Sequence, residues 1–256
     1  MISRKLLEND VGRAGDFRWR GHEISRIEGL SDAVFAFAIT LLVVSLEVPK
    51  TFNELAATMH GFGAFLVSFL LLFAVWFNQY KFFRRYGLQD TTTVALNAAL
   101  LFVVLFYVYP LKFLFSFLID GFTGGHGEVR LPNGNVVAMI ENHEQMAHLM
   151  EIFSLGYLAV FAVFVLLFWH AYRQREALEL NDLERFDTRG SIQDAALNCG
   201  IAILSLLVVI VGGPQRAGLA GMVYMLSAVI FTINGMLMGK RRRRLEERLQ
   251  GQGALN

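Results

Sequence analysis

The chain has 256 residues, 55% of them apolar and only 18% charged, with mean hydropathy +0.46 and formal net charge +1. That balance excludes an ordinary water-soluble domain and makes lipid the expected solvent for much of the surface. The lone Cys199 excludes an intrachain disulfide, and residues 1–28, charged and without a long apolar core, do not read as a signal peptide.

Residues 1–28 form a basic leading segment with Arg4, Lys5, Arg13, Arg18, Arg20 and Arg26. Six apolar windows follow, near 30–48, 58–77, 93–115, 150–171, 195–213 and 217–238, each long enough to cross roughly 30 Å of hydrocarbon. The second and fifth windows are the shorter ones and need interfacial residues such as His60 and Trp76, or Gln193 and Gly212, to complete a crossing. Isolated sheets leave edge groups unpaired in lipid and the barrel alternation is missing, so the spans are read as helices.

Between the third and fourth windows, residues 116–149 mix glycine, histidine, acidic and apolar residues, with Gly121, Gly124, Gly125 and Gly127 marking a loop. Asn135 to His148 reads as an outer extension of the fourth helix. After the last window come Lys240, Arg241, Arg242, Arg243, Arg244 and Arg248.

Basic residues also crowd the second connection (Lys81, Arg84, Arg85) and the fourth (Arg173, Arg175, Arg185, Arg189), whereas the opposite side carries Lys50, Lys112, Arg130 and Arg216. The positive-inside rule then predicts an even number of spans with both termini in the cytoplasm. The expected fold is all-α: a polytopic membrane protein with six transmembrane helices, N-in and C-in. It divides into a cytoplasmic segment 1–28, a six-helix domain 29–239 and a basic cytoplasmic tail 240–256. No tandem repeat is evident, so any symmetric pore must come from several copies of the chain.

The first window carries the most information. Arg26, Ser31 and Asp32 stand where it begins, and charge at that depth is costly unless it meets a partner or water. The plain alternative is an anchor, with Arg26 snorkelling to headgroups and Ser31 or Asp32 capping the helix. Further along, Phe37, Leu41 and Val44 share one stripe with Thr40 close beside it, a pattern that an ordinary packing face also shows.

This stretch resembles the signature of the lysosomal and prokaryotic transmembrane potassium channel family, an arginine, three spacers and Phe-Ser-Asp. Here the residues are Arg26 and Leu30-Ser31-Asp32, with leucine in place of phenylalanine. Ala33-Val34-Phe35-Ala36, Ile39-Thr40-Leu41-Leu42-Val43 and Leu46-Glu47-Val48-Pro49 extend the likeness. The family's second helix ends in tryptophan, two spacers, two histidines and a later phenylalanine. Trp76 and Phe83 match, while Gln79 and Tyr80 occupy the histidine positions, so no titration near neutral pH is expected there. Asn97, a leucine-rich body and Pro110 resemble the family's third helix.

The resemblance implies a homotetrameric potassium-permeable channel in the plasma or inner membrane, with the first helix of each subunit lining a central pore. Carried over, the pore-lining and gate positions are Phe37, Thr40, Leu41 and Val44. Apolar rings close such a pore by dewetting, and a ring of Thr40 hydroxyls replaces part of the hydration of transient K+, with no fixed metal and no cofactor. Arg26, Ser31, Asp32, Trp76 and Gln79 are implied as a network holding the first helix to its neighbours, with Asn78 as a further candidate.

Other clusters carry less. His126, His143 and His148 with Glu141, Glu144 and Glu151 spell out no compact ligand set. His22-Glu23 lacks the second histidine of a zinc protease motif, and no enzyme is expected. The Arg241–Arg244 run directly follows a span and points to anionic lipid rather than nucleic acid. Besides a passive channel, a secondary transporter and a noncatalytic membrane scaffold remain alternatives. A carrier would have inverted repeats or broken helices, and Gly235 and Gly239 supply a small-residue packing motif compatible with all three.

Overall fold

The structure is a computed structural model, and it describes residues 17–21, 23–44, 50–52, 55–56, 59, 62–122, 127–130 and 135–253. Its first long element, α1 (Arg26–Val44), starts at a Ser-x-x-Glu capping box. Glu28 N–H donates to Ser25 Oγ at 3.2 Å, and Ser25 N–H donates to Glu28 Oε1 at 3.0 Å, which satisfies donors that a helix start leaves open. The cap is therefore Ser25, and Ser31 and Asp32 lie inside the helix rather than at its start.

Helices α2 (Phe62–Tyr86), α3 (Thr91–Phe122), α4 (His143–Arg173) and α5 (Asp182–Gly212) follow, each 25 residues or longer. The predicted second and fifth windows were short because hydropathy sees only their apolar middles; both helices run on into charged turns. Asn142 caps α4, and Asn181 with Glu184 forms a second capping box at the start of α5. A single 3-10 turn (Pro214–Arg216) leads to α6 (Ala217–Val223) and α7 (Leu226–Gly253).

Two local expectations are corrected. The 116–149 connection extends α4 outward only from His143: α3 continues to Phe122, and β1 (Glu128–Arg130) pairs antiparallel with β2 (Val136–Ala138), with Val129 opposite Val137, where an extension from Asn135 was expected. The last span is not one rod either, because Tyr224 and Met225 form a turn between α6 and α7. Beyond that turn, α7 passes residue 240 without interruption and carries the basic run as helix.

Five helical stretches among the described residues are long and apolar enough to cross a membrane: α2, α3, α4, α5 and the composite of the 3-10 turn, α6 and α7. With 19 residues, α1 is about 28 Å long, and its first two turns hold Arg26, Glu28 and Asp32. Large apolar side chains at membrane depth point outward, including Phe102 (73% exposed) and Val211 (81%). In water that surface would aggregate; in lipid it is the expected outer face. The chain is a multi-pass membrane protein.

α1 lies against α2 and α3, α3 against α4, and α4 packs along α5. Phe35, Ala38 and Leu42 of α1 join Leu72, Phe82, Leu100, Val104, Phe164 and Leu167 in the larger core. Gly156 lets α3 and α4 meet: a Cβ there would lie 2.2 Å from the ring of Tyr107, whose hydroxyl donates to the Phe153 carbonyl at 2.9 Å.

Candidate functional site

One side of α1 is committed to the bundle and the other is not. Glu28, Ser31, Phe35, Ala38 and Leu42 are buried, at intervals of three and four residues that define a single face. The opposite face leaves Ala33, Ala36, Phe37, Thr40 and Val43 exposed, Phe37 at 56%. Phe37 and Thr40 thus stand on the uncovered side. Leu41 stands at its edge and packs partly against the core. Val44 ends the helix, and its side chain lies outside the described residues.

Thr40 also has a definite polarity. Its hydroxyl hydrogen is given to the Ala36 carbonyl one turn back at 2.9 Å. The oxygen lone pairs remain to accept from water or to face a cation.

Polar residues hold the covered side of α1 in place. Ser31 Oγ–H donates to the Ile27 carbonyl at 2.8 Å and accepts from Asn97 Nδ2 at 2.9 Å. Gln79 Nε2–H in turn donates to Asn97 Oδ1. Ser31, Gln79 and Asn97 are all 2% exposed or less, so this chain ties α1, α2 and α3 together in a dry interior. On the rim, Trp76 Nε1–H donates to Asp32 Oδ1 at 2.8 Å.

Ser31 and Gln79 thus meet through Asn97, while Asp32 and Trp76 form a separate pair beside them. Arg26 is exposed and makes no hydrogen bond or ion pair among the described residues, so a single chain does not draw it into the network. Asn78 gives its amide to the Ala74 carbonyl of its own helix at 3.0 Å and is likewise outside it.

The leading segment forms a clamp just beneath. Arg20 pairs with Glu184 at 2.7 Å, their side chains only 13% and 2% exposed, and its Nε–H donates to the Leu178 carbonyl at 2.8 Å. Arg20 and Gly21 N–H groups donate to the Arg84 carbonyl, at 3.0 and 3.2 Å. Gly87, with φ +60°, permits this approach, since a Cβ there would come within 3.1 Å of the Arg20 carbonyl.

Nearby, Asp90 starts α3 by accepting from Thr93 Oγ1 at 2.6 Å and meets His170 Nε2 at 2.9 Å. Partial burial pushes the Asp90 carboxyl up, but the Thr93 hydroxyl and His170 more than offset this and leave it below its ordinary value. Arg242 of α7 joins the same end through Asp187 at 3.0 Å. The start of α1, the end of α2 and the basic stretch of α7 thus share one end of the bundle.

The sequence model for the endosomal/lysosomal potassium channel TMEM175 matches residues 26–107, the segment that contains both the uncovered face of α1 and the Ser31–Asn97–Gln79 network. A potassium channel of Marivirga tractuosa is 40% identical over 245 residues, 94% of this chain and 98% of that one. The chain belongs to the TMEM175 potassium channel family. A potassium channel of Streptomyces collinus is 34% identical over 103 residues, covering 38% of this chain and 50% of its own. Among solved structures, a variant of the potassium channel MtTMEM175 bound to a nanobody fusion is 40% identical, with TM-score 0.76 over 90% of this chain and all of that one. The TMEM175 homologue of Chamaesiphon minutus shares the fold, with TM-score 0.52 and 23% identity over 81% and 95% of the two chains. Members of the TMEM175 family are potassium channels, not enzymes.

Set within that family, the Arg20–Glu184 clamp and the Asp90–His170 pair are the contacts that sequence reading missed. Their partners are 164 and 80 residues apart, and no local pattern joins them. Ser25-x-x-Glu28 and Asn181-x-x-Glu184 are local helix-start patterns that the expected capping by Ser31 or Asp32 passed over.

Proposed function

We propose that this chain is the subunit of a potassium-permeable cation channel whose pore runs along the axis of a homotetramer, lined by the uncovered face of α1. The observation that carries this reading is the division of α1: a buried polar and apolar face fixed to α2 and α3, and an opposite face of Ala33, Ala36, Phe37, Thr40 and Val43 that no element covers among the described residues. One such helix cannot enclose a path, so the face calls for copies of itself. Four is the number that the family resemblance implies.

Rings of Phe37 narrow the path and expel water, which is the closed state of a hydrophobic gate, with Leu41 bracing each ring from its flank. The Thr40 oxygen, its hydrogen already given to Ala36, faces the axis as an acceptor and replaces part of the hydration shell of passing K+. The buried network sets the rotation of α1 and so decides which residues reach the axis. Arg26, exposed in one chain, finds its partner in a neighbouring subunit.

The basic end faces the cytoplasm under the positive-inside rule, which gives N-in and C-in topology in a plasma or inner membrane. Anionic headgroups meet the basic stretch of α7 there.

The turn at Tyr224–Met225 favours a carrier as the second reading, since unwound helices build many transporter sites. Its backbone is nevertheless satisfied from within: Ser205 Oγ–H donates to the Ala220 carbonyl at 3.0 Å and Ser227 Oγ–H to the Tyr224 carbonyl. Purified protein in planar bilayers separates the two. Unitary potassium currents are expected, and slow saturable flux without unitary events would overturn the channel reading.

A further inference from the structure

A second feature lies away from the proposed pore, between α2, α4, α5 and α7 at the basic end. It is a cavity of about 300 Å³ with Lys81 and Arg85 on one wall, Asp194 and Asn198 on another, and Phe164 and Phe231 closing the rest. Lys81 and Arg85 are one helical turn apart on α2, both are half-buried, and like charges at that spacing repel. Neither makes a hydrogen bond or close ion pair among the described residues; each rests against a ring, Lys81 Nζ 4.9 Å from the centre of Phe77 and Arg85 4.9 Å from that of Phe17. The one carboxylate of the cavity, Asp194, attracts Lys81 and is held in place by the Asn234 amide at 2.7 Å, itself fixed by Gln193 at 2.8 Å, so it offsets one positive charge of the two.

Two adjacent cations against a single carboxylate leave an excess positive charge on a space open enough for an anion, which describes a receptor for an oxyanion. The shape says what the oxyanion is attached to. A second cavity, of about 90 Å³, adjoins the first through Asn78 and Phe161, which line both. It is almost wholly apolar, with Leu72, Val75, Val104, Val108 and Leu111 around it. Leu72 is nine residues from Lys81 along α2, so the slot reaches about 14 Å deeper towards the middle of the membrane. A charged pocket at the interface leading into an apolar slot at acyl depth has the profile of an amphiphile that lies along the bilayer normal.

We propose that this pair of cavities is a binding site for a single membrane phospholipid, its phosphate held by Lys81 and Arg85 and one acyl chain lying in the slot between α2, α3 and α4. Arg85 presents a planar fork of donors suited to phosphate oxygens, and Lys81 supplies a compact charge beside it. Asn78, at the junction, donates its amide to Ala74, and its side-chain oxygen accepts no bond among the described residues. Seated there, the lipid bridges α2 to α4 and α5 and braces the outer side of the helix pair that carries α1.

The test is native mass spectrometry of the full detergent-solubilised protein with phosphatidylglycerol, alongside diacylglycerol (chain without phosphate), oleate (chain with carboxylate) and inorganic phosphate (no chain). Phosphatidylglycerol should be retained in preference to all three. Lys81→Gln with Arg85→Gln should weaken it on the order of a hundredfold, about tenfold for each cation removed, because each charge-assisted contact is of that size. Val75→Phe should lower retention by filling the slot while leaving both cations in place. Unchanged melting and assembly of the variants establishes that the fold is intact, and Lys81→Arg should restore binding in place of Lys81→Gln. Equal retention of diacylglycerol or oleate, phosphate bound as well without a chain, or phosphatidylglycerol unaffected by the double substitution would each overturn the assignment.

Discussion

Replacing Asn97 with leucine tests the polar hub that fixes the rotation of α1. Asn97 is 2% exposed, donates to Ser31 and accepts from Gln79. Leucine keeps the branched shape and the number of heavy atoms, with bulkier methyl groups, so the main change is the loss of hydrogen bonding. Ser31 loses little, because its hydroxyl still donates to the Ile27 carbonyl. Gln79 loses the acceptor for a buried N–H, and an orphaned donor of that kind costs about 1–3 kcal/mol; with the lost bonds, the expected destabilisation is about 2–3 kcal/mol. Gln79→Leu alone strands the Asn97 oxygen and should cost a similar amount. The double variant removes both partners and should recover part of the loss, with a coupling of about 1–2 kcal/mol in a double-mutant cycle. Reversible unfolding in mixed micelles is the assay. Single substitutions costing under about 0.5 kcal/mol, or strictly additive ones, would refute the hub.

Three further perturbations have defined outcomes. Glu184→Ala leaves the Arg20 guanidinium half of a buried pair alone, so it should cost about 3–5 kcal/mol in the same unfolding assay, and less when Arg20 is also replaced by methionine. Gly156→Ala drives a methyl into the Tyr107 ring and should lower assembly yield in size-exclusion chromatography, with Tyr107→Leu restoring it. The Asp90 carboxyl is held below its ordinary value in the folded protein, so its stabilisation is complete above the unfolded value of about 3.9 and disappears as pH falls through the folded one; a melting series from pH 6 to 3 should show a larger acid loss in the parent than in Asp90→Asn.

How much of this was readable in the sequence follows from the range of the interactions involved. Hydropathy located the spans because lipid demands long apolar helices, and it misjudged their ends because capped charged turns such as Asn181 to Glu184 continue a helix without being apolar. The resemblance implied Ser31, Asp32, Trp76 and Gln79 as one network, but their bonds make two units, Ser31–Asn97–Gln79 and Asp32–Trp76, and the place of Asn97 in the first needed three helices in place. The turn at Tyr224–Met225 has no proline or glycine to announce it. It is held by tertiary contacts, among them the Tyr224 hydroxyl donating to Ser154 at 2.9 Å. The hairpin at Val129 and Val137 was hidden by its length, since three-residue strands carry almost no periodic signal.

The central claim is that the uncovered face of α1 lines the permeation path. It is tested most directly by recording current and reversal potential for the parent, Phe37→Ala and Thr40→Val proteins in matched bilayers, after equal tetramer assembly has been established. Phe37→Ala should widen the narrowest ring and raise basal potassium conductance, and Thr40→Val, which keeps the shape but removes the oxygen, should shift the reversal potential towards lower preference for potassium over sodium. Three assembled proteins with the same conductance, gating and selectivity would contradict the account and return α1 to a purely structural role.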